Sequence, residues 1–128
     1  MARKNNDGRP PVAVGHISLT VSDVAQATRY FETMGMRLIH LGETVSVLEL
    51  RGGTHLVVKP ADGPIAPGSK ASFDLMVDDI GAMRKDYAAK GMEPSAMEST
   101  RIHEWFTVRG PDGYEITIIS SHASDQPV

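Results

Sequence analysis

Cysteine is absent from this chain of 128 residues. That excludes disulfides, thiol nucleophiles and cysteine metal sites, so any metal would rest on histidine and carboxylate ligands. An excess of basic residues is absent as well. Thirteen Lys and Arg against sixteen Asp and Glu leave a formal charge of −3 and a pI near 5.9. This is not the electrostatic footprint of a nucleic-acid binder. No run approaches the roughly 18 apolar residues that a membrane span needs. Residues 1–10 are polar and lack the apolar core of a secretory signal. Aromatic residues make up only 5% of the chain, with a single tryptophan, Trp105. Gly-x-Ser-x-Gly, P-loop, dinucleotide-glycine and His-x-x-x-His patterns do not occur, which removes the commonest nucleophile, phosphate and helical zinc motifs. These absences lead to the expectation of a cytoplasmic protein with no nucleic-acid or membrane partner.

What is present is a two-faced strand, and then its echo. In residues 12–21, Ile17, Leu19 and Val21 point one way and His16, Ser18 and Thr20 the other, because side chains alternate along a strand. Val21-Ser22-Asp23-Val24 is repeated as Val77-Asp78-Asp79-Ile80, Phe31 as Tyr87, and Gly35-Met36 as Gly91-Met92, each 56 residues on. A fixed offset held over a strand, a helix and a helix stop marks an internal repeat.

The pattern predicts a tail over 1–11, a first module over 12–59, a linker over 60–70, a second module over 71–121 and a tail over 122–128. The first module reads as a strand (12–21), a helix capped by Ser22 or Asp23 and stopped by Gly35, and strands at 36–41, 44–51 and 54–59. The second reads as a strand (72–77), a helix to Lys90 stopped by Gly91, a short strand near 95–99, and strands at 101–109 and 114–120. The fold class is α+β: two βαβββ modules in tandem, forming a curled mixed sheet with a concave cleft and with helices on the outer face.

The helix-facing sides of the strands collect Ile17, Leu19, Leu56, Val58, Phe73, Leu75, Val77, Ile116 and Ile118. The other sides collect His16, Ser18, His55, Glu49, Arg51, Ser72, Asp74, His103, Trp105, Thr107, Arg109, Glu115 and Thr117. Histidines, carboxylates and a tryptophan on one bare face suit a pocket better than a plain wet surface. By the repeat, Arg51 and Arg109 occupy equivalent strand ends, as solvated turn residues; His40 and His122 read as ordinary surface residues.

Four stretches taken in order resemble the vicinal oxygen chelate superfamily, which includes glyoxalase I, bleomycin-resistance proteins and extradiol dioxygenases. They are Gly15-His16-Ile17-Ser18-Leu19-Thr20-Val21-Ser22-Asp23, Tyr30-Phe31-Glu32-Thr33-Met34-Gly35-Met36, Phe73-Asp74-Leu75-Met76-Val77-Asp78-Asp79 and Gly110-Pro111-Asp112-Gly113-Tyr114-Glu115-Ile116. The resemblance implies the paired-module fold, a homodimer whose modules can be exchanged between subunits, and a small-molecule ligand. It also implies metal ligands on the bare face of the first and last strand of each module. Those positions here are His16, Val57, Ser72 and Thr117, an incomplete set.

Three functions stand on this reading. The first is a metal-independent binder that sequesters a small organic molecule, with Ser72, Asp74, His103, Trp105, Glu115 and Thr117 as substrate-binding residues. Here Trp105 supplies a stacking wall, against the alternative of a core or interface anchor. The second is a lyase, isomerase or dioxygenase relative. Its rearranged site has His16 and Glu49 as catalytic residues and His16, His55 and Glu49 as ligands of one divalent ion (zinc, nickel, manganese or iron). The third is a non-catalytic dimerisation or sensor module. His16 is read either as ligand or base, or as a pocket histidine bonded to Ser72 or a backbone carbonyl; Asp74 either as a contact to the ligand or as the partner of an arginine.

Overall fold

Val24, Ala27, Thr28, Phe31 and Met34 recur on one side of the first helix and are all buried. That helix, α1 (Val24–Met34), begins where Asp23 accepts a hydrogen bond from the Gln26 N–H. It ends at Gly35, whose φ of 116° only glycine adopts without strain. Helix α2 (Ile80–Ala89) is built the same way, capped by Asp79 and buried through Ile80 and Tyr87. Past both helices the Met36 N–H donates to the Phe31 carbonyl and the Met92 N–H to the Tyr87 carbonyl.

The computed structural model describes residues 7–121 and 125–128; His122 lies outside the described residues. The chain forms two tandem βαβββ modules. In the first, β1 (His16–Val21), β2 (Arg37–Leu41), β3 (Ser46–Glu49) and β4 (His55–Pro60) make a four-stranded sheet ordered β1-β4-β3-β2. In the second, β5 (Leu75–Val77), β6 (Glu98–Ser99), β7 (Glu104–Arg109) and β8 (Glu115–Ser120) make a sheet ordered β5-β8-β7-β6. The first and last strands of each module pair in parallel and the remaining pairs are antiparallel. The mixed sheet expected from the sequence is built as two four-stranded sheets, one per module. Each carries its own helix, and one continuous core, including Phe31, Leu48, Leu56, Phe106, Ile116 and Ile118, joins them.

The modules meet along the free edge of β1. Ser18, Thr20 and Ser22 turn their backbone groups away from β4, and the second module satisfies them. The Ser72 hydroxyl donates to the Ser18 carbonyl, the Tyr114 hydroxyl donates to the Thr20 carbonyl, and the Ser22 N–H donates to the Asp112 carboxylate. An edge strand that would otherwise template aggregation is covered within the chain.

Several strands are shorter than the alternation predicts. β1 starts at His16; Val12 and Val14 stand out in solvent, 81% and 61% exposed. β7 starts at Glu104, which leaves His103 just ahead of it. The largest departure is at β5. A bridge joins Lys70 to Glu115, whereas Leu75 pairs with Ile118, so five residues on one side span three on the other. The excess bulges out of the ladder and takes Ser72 and Asp74 with it, so neither lies on a strand as expected.

Candidate functional site

Strand register turns separate residues into a row on the first sheet. His16 lies opposite His55, His55 opposite Glu49, and Glu49 opposite Arg37, across β1, β4, β3 and β2. All four are on the face away from α1. The His16 and His55 rings meet edge to face with centroids 6.0 Å apart. His55 Nε2 is 3.1 Å from Glu49 Oε2, and Arg37 Nη1 is 3.6 Å from Glu49 Oε1. The His55 and Glu49 side chains are about one-third and one-quarter exposed, at 32% and 27%. The next row holds Ser18, Val57, Val47 and the exposed His40.

Arg37 escapes sequence reasoning. β2 shifts register between Leu38 and His40, so simple alternation from either end of the strand gives the wrong face at the other. The usable signal was its place opposite Glu49 in a short hairpin.

The second sheet carries a different row. Met76 lies opposite Ile119, Ile119 opposite Trp105, and Trp105 opposite Glu98. Met76 is 41% exposed, and Ile119 and Trp105 are half-buried. Thr117 lies opposite Thr107, and Glu115 opposite Arg109.

Several expected contacts are absent from this arrangement. Ser72 bonds to the Ser18 carbonyl and not to His16. Asp74 is exposed ahead of β5, with no ion pair among the described residues. His103 sits half-buried in the loop before β7, with Nδ1 3.4 Å from Thr100 Oγ1. Arg51 and Arg109 are not equivalent. Arg109 ends a strand in register with Glu115, whereas Arg51 opens the turn Arg51–Gly53 and pairs with Asp78 at 2.7 Å. By the last hairpin the repeat offset has grown to 60, so the counterpart of Arg51 is Pro111.

A family model described as the Glyoxalase/Bleomycin resistance protein/Dioxygenase superfamily matches residues 13–118. The chain belongs to this superfamily. Its fold is that of lactoylglutathione lyase from Agrobacterium tumefaciens, with a TM-score of 0.72 at 16% identity over 89% of this chain and 97% of that one. A bleomycin resistance determinant encoded on transposon Tn5 gives 0.70 at 16% identity, over 88% and 100% of the two chains. TnmS3, an antibiotic binding protein from Streptomyces sp. CB03234, gives 0.71 at 24% identity over 88% and 98%. No curated protein matches the sequence.

The superfamily's metal positions can be tested against the donors present. Val57 offers no donor atom, and the Ser72 hydroxyl is already committed to a carbonyl. Thr117 offers only a neutral hydroxyl, which leaves His16 as the one strong ligand. The alternative trio of His16, His55 and Glu49 is a row across three strands in which His55 and Glu49 already satisfy one another. Among the described residues no three His, Asp or Glu side chains gather closely enough to hold an ion. The donor set fits a hydrogen-bonding surface and does not fit a resident divalent cation.

Proposed function

We propose that this superfamily member binds a small, planar organic molecule on the bare faces of its sheets and sequesters it without a metal. The observation that carries this reading is the row Met76–Ile119–Trp105, apolar and open on the face that no helix covers. Apolar side chains in such a row lower their free energy by meeting an apolar ligand, at roughly 25 cal/mol per Å² buried. An indole adds a stacking plane. The row His16–His55–Glu49–Arg37 on the other sheet supplies hydrogen-bond donors and acceptors for the ligand's polar groups. Neighbours named for bleomycin resistance and antibiotic binding support the ligand class, a natural-product-like aromatic compound. With this reading goes a cytoplasmic homodimer, in which the partner covers part of the same faces.

Trp105 is the only tryptophan, so its fluorescence reports the site directly. Titration with bleomycin and a panel of planar heteroaromatics is expected to quench it saturably, and Trp105→Ala to weaken binding by about 1–3 kcal/mol. Light scattering on the same samples is expected to give the mass of two chains. An unchanged spectrum and unchanged melting temperature across the panel would overturn the reading.

One observation favours an enzyme instead. A half-buried histidine held by a carboxylate at 3.1 Å, beside a second histidine, is the geometry of an oriented general base. His55 would then abstract a proton, with Glu49 fixing its ring. A product formed from a bound compound, and lost in His55→Ala while binding is retained, would replace sequestration by turnover.

A further inference from the structure

The two modules differ at one place where the repeat makes them directly comparable. Each last hairpin turns through a single 3-10 turn, Arg51–Gly53 in the first module and Pro111–Gly113 in the second. The turn bonds match. The Leu50 N–H donates to the Thr54 carbonyl at 2.8 Å, as the Gly110 N–H does to Tyr114 at 2.7 Å. The Gly53 N–H donates to the Leu50 carbonyl at 3.2 Å, as the Gly113 N–H does to Gly110 at 3.1 Å. The residues that follow have the same backbone conformation: φ −63°, ψ 134° at Thr54 and φ −59°, ψ 132° at Tyr114. Thr54 and Tyr114 therefore occupy equivalent positions in the two modules.

Their side chains do not do equivalent things. Tyr114 is buried between the modules and donates its hydroxyl to the Thr20 carbonyl on the free edge of β1, at 2.8 Å. The counterpart of Thr20 is Met76, on the free edge of β5. Thr54 is too short to reach it, and turns its hydroxyl to the Val14 carbonyl at 2.7 Å instead. Among the described residues no side chain donates to the Met76 carbonyl as Tyr114 does to Thr20. Where a tyrosine ring would stand, a pocket of about 730 Å³ opens between the modules. Thr54, Met34, Met36, Leu50, Leu75 and Met83 line it, together with Met76 itself. The Arg51–Asp78 ion pair lies among its lining residues. This pocket has Met76 in common with the apolar row of the second sheet, but includes neither Trp105 nor the polar row of the first sheet.

We propose that this pocket is a second binding site, for a phenolic ring carrying an apolar substituent. The ring takes the place that Tyr114 fills in the other half, and its hydroxyl donates to the Met76 carbonyl. The flexible thioethers of Met34, Met36 and Met83 suit an adaptable aromatic site, because thioether sulfur packs well against ring edges. The volume exceeds one ring, which leaves room for the substituent.

The probe is 4-propylphenol, read by the methyl signals of 13C-labelled methionines in the full chain. Saturable shifts are expected at Met34, Met36 and Met83, with Met92 unmoved. Propylbenzene, which cannot donate to the carbonyl, is expected to bind about tenfold more weakly. Thr54→Tyr places a ring in the pocket from within; it is expected to weaken the probe at least about tenfold and to raise the melting temperature. Thr54→Val leaves the pocket open and is expected to retain binding. Should Thr54→Tyr fail to fold, Met83→Trp fills the same space and is expected to block the probe.

Absence of saturable shifts overturns the proposal, as does unweakened binding to the folded blocking variant. Concentration-dependent shifts of Met34, Met36 and Met83 without probe would show a second copy seated there, and would also overturn it. Trp105 fluorescence is expected to stay unchanged in the titration, so failure here is distinguishable from failure at the sheet faces.

Discussion

Ser46 is wholly buried on the core side of β3, and its hydroxyl has no hydrogen-bond partner among the described residues. An unpaired buried hydroxyl forfeits its hydration with nothing in return. Ser46→Ala is therefore expected to be neutral or to stabilise by up to about 1 kcal/mol, read as a higher urea midpoint with an unchanged slope. A drop of more than about 1 kcal/mol would mean that the hydroxyl has a partner in solution. At this scale the sequence is informative wherever a residue sits on a regular strand. Alternation and hairpin register put His16, His55 and Glu49 on one face, and the strand pairing does so too. Arg37, Ser72 and Asp74 depart from the alternation because they border irregular ladders, where one extra residue inverts the face.

The two equivalent turns each carry a contact from one module to the other, and they do so with unlike chemistry. Asp112, in left-handed backbone at φ 56°, accepts both the N–H and the hydroxyl of Ser22. Arg51 reaches Asp78, the counterpart of Ser22, through an ion pair whose side chains are 64% and 72% exposed. An exposed pair is screened by water and contributes little. Asp112→Ala loses two hydrogen bonds and leaves a β-carbon residue in left-handed backbone without the local stabilisation that Asp gives. It is expected to destabilise by about 2–3 kcal/mol. Arg51→Ala is expected to stay within about 1 kcal/mol. Equal effects in denaturant unfolding would contradict this division. The elements themselves were largely legible. The capping aspartates, helix-stopping glycines and apolar stripe of α1 are local signals, and the structure uses each of them. The ends of β1, β5 and β7 were not, since a strand ends where its partner's backbone stops pairing, and the partner is remote in sequence.

Across the whole molecule, two tyrosines besides Tyr114 tie the halves together. Tyr30 donates to the Arg109 carbonyl at 3.4 Å, and the buried Tyr87 donates to the Met34 carbonyl at 2.8 Å. Burial, and then the neighbouring Tyr87, push the Tyr30 hydroxyl up from 10.0 to about 12. Burial, and then the Asp86 carboxylate, do the same to Tyr87. A pKa raised by folding means that the fold favours the protonated group. This contribution is complete below pH 10 and is lost as pH rises toward about 12. The urea midpoint is accordingly expected to fall over that interval, and less steeply in Tyr87→Phe. A midpoint independent of pH there would contradict it.

By itself the sequence determined the repeat, the two βαβββ modules and the shared face of His16, His55 and Glu49, which follow from periodicity and spacing within one module. The resemblance to the superfamily, carried by the same residues, implied a metal set with gaps at Val57, Ser72 and Thr117. Only the tertiary structure decided which neighbours those residues meet. The capping of β1 by Tyr114 and the pocket left beside Thr54 come from contacts between modules. The physical reason is distance along the chain: alternation and capping act over a few residues, whereas Thr20 and Tyr114 meet across 94 positions, where no local pattern reaches.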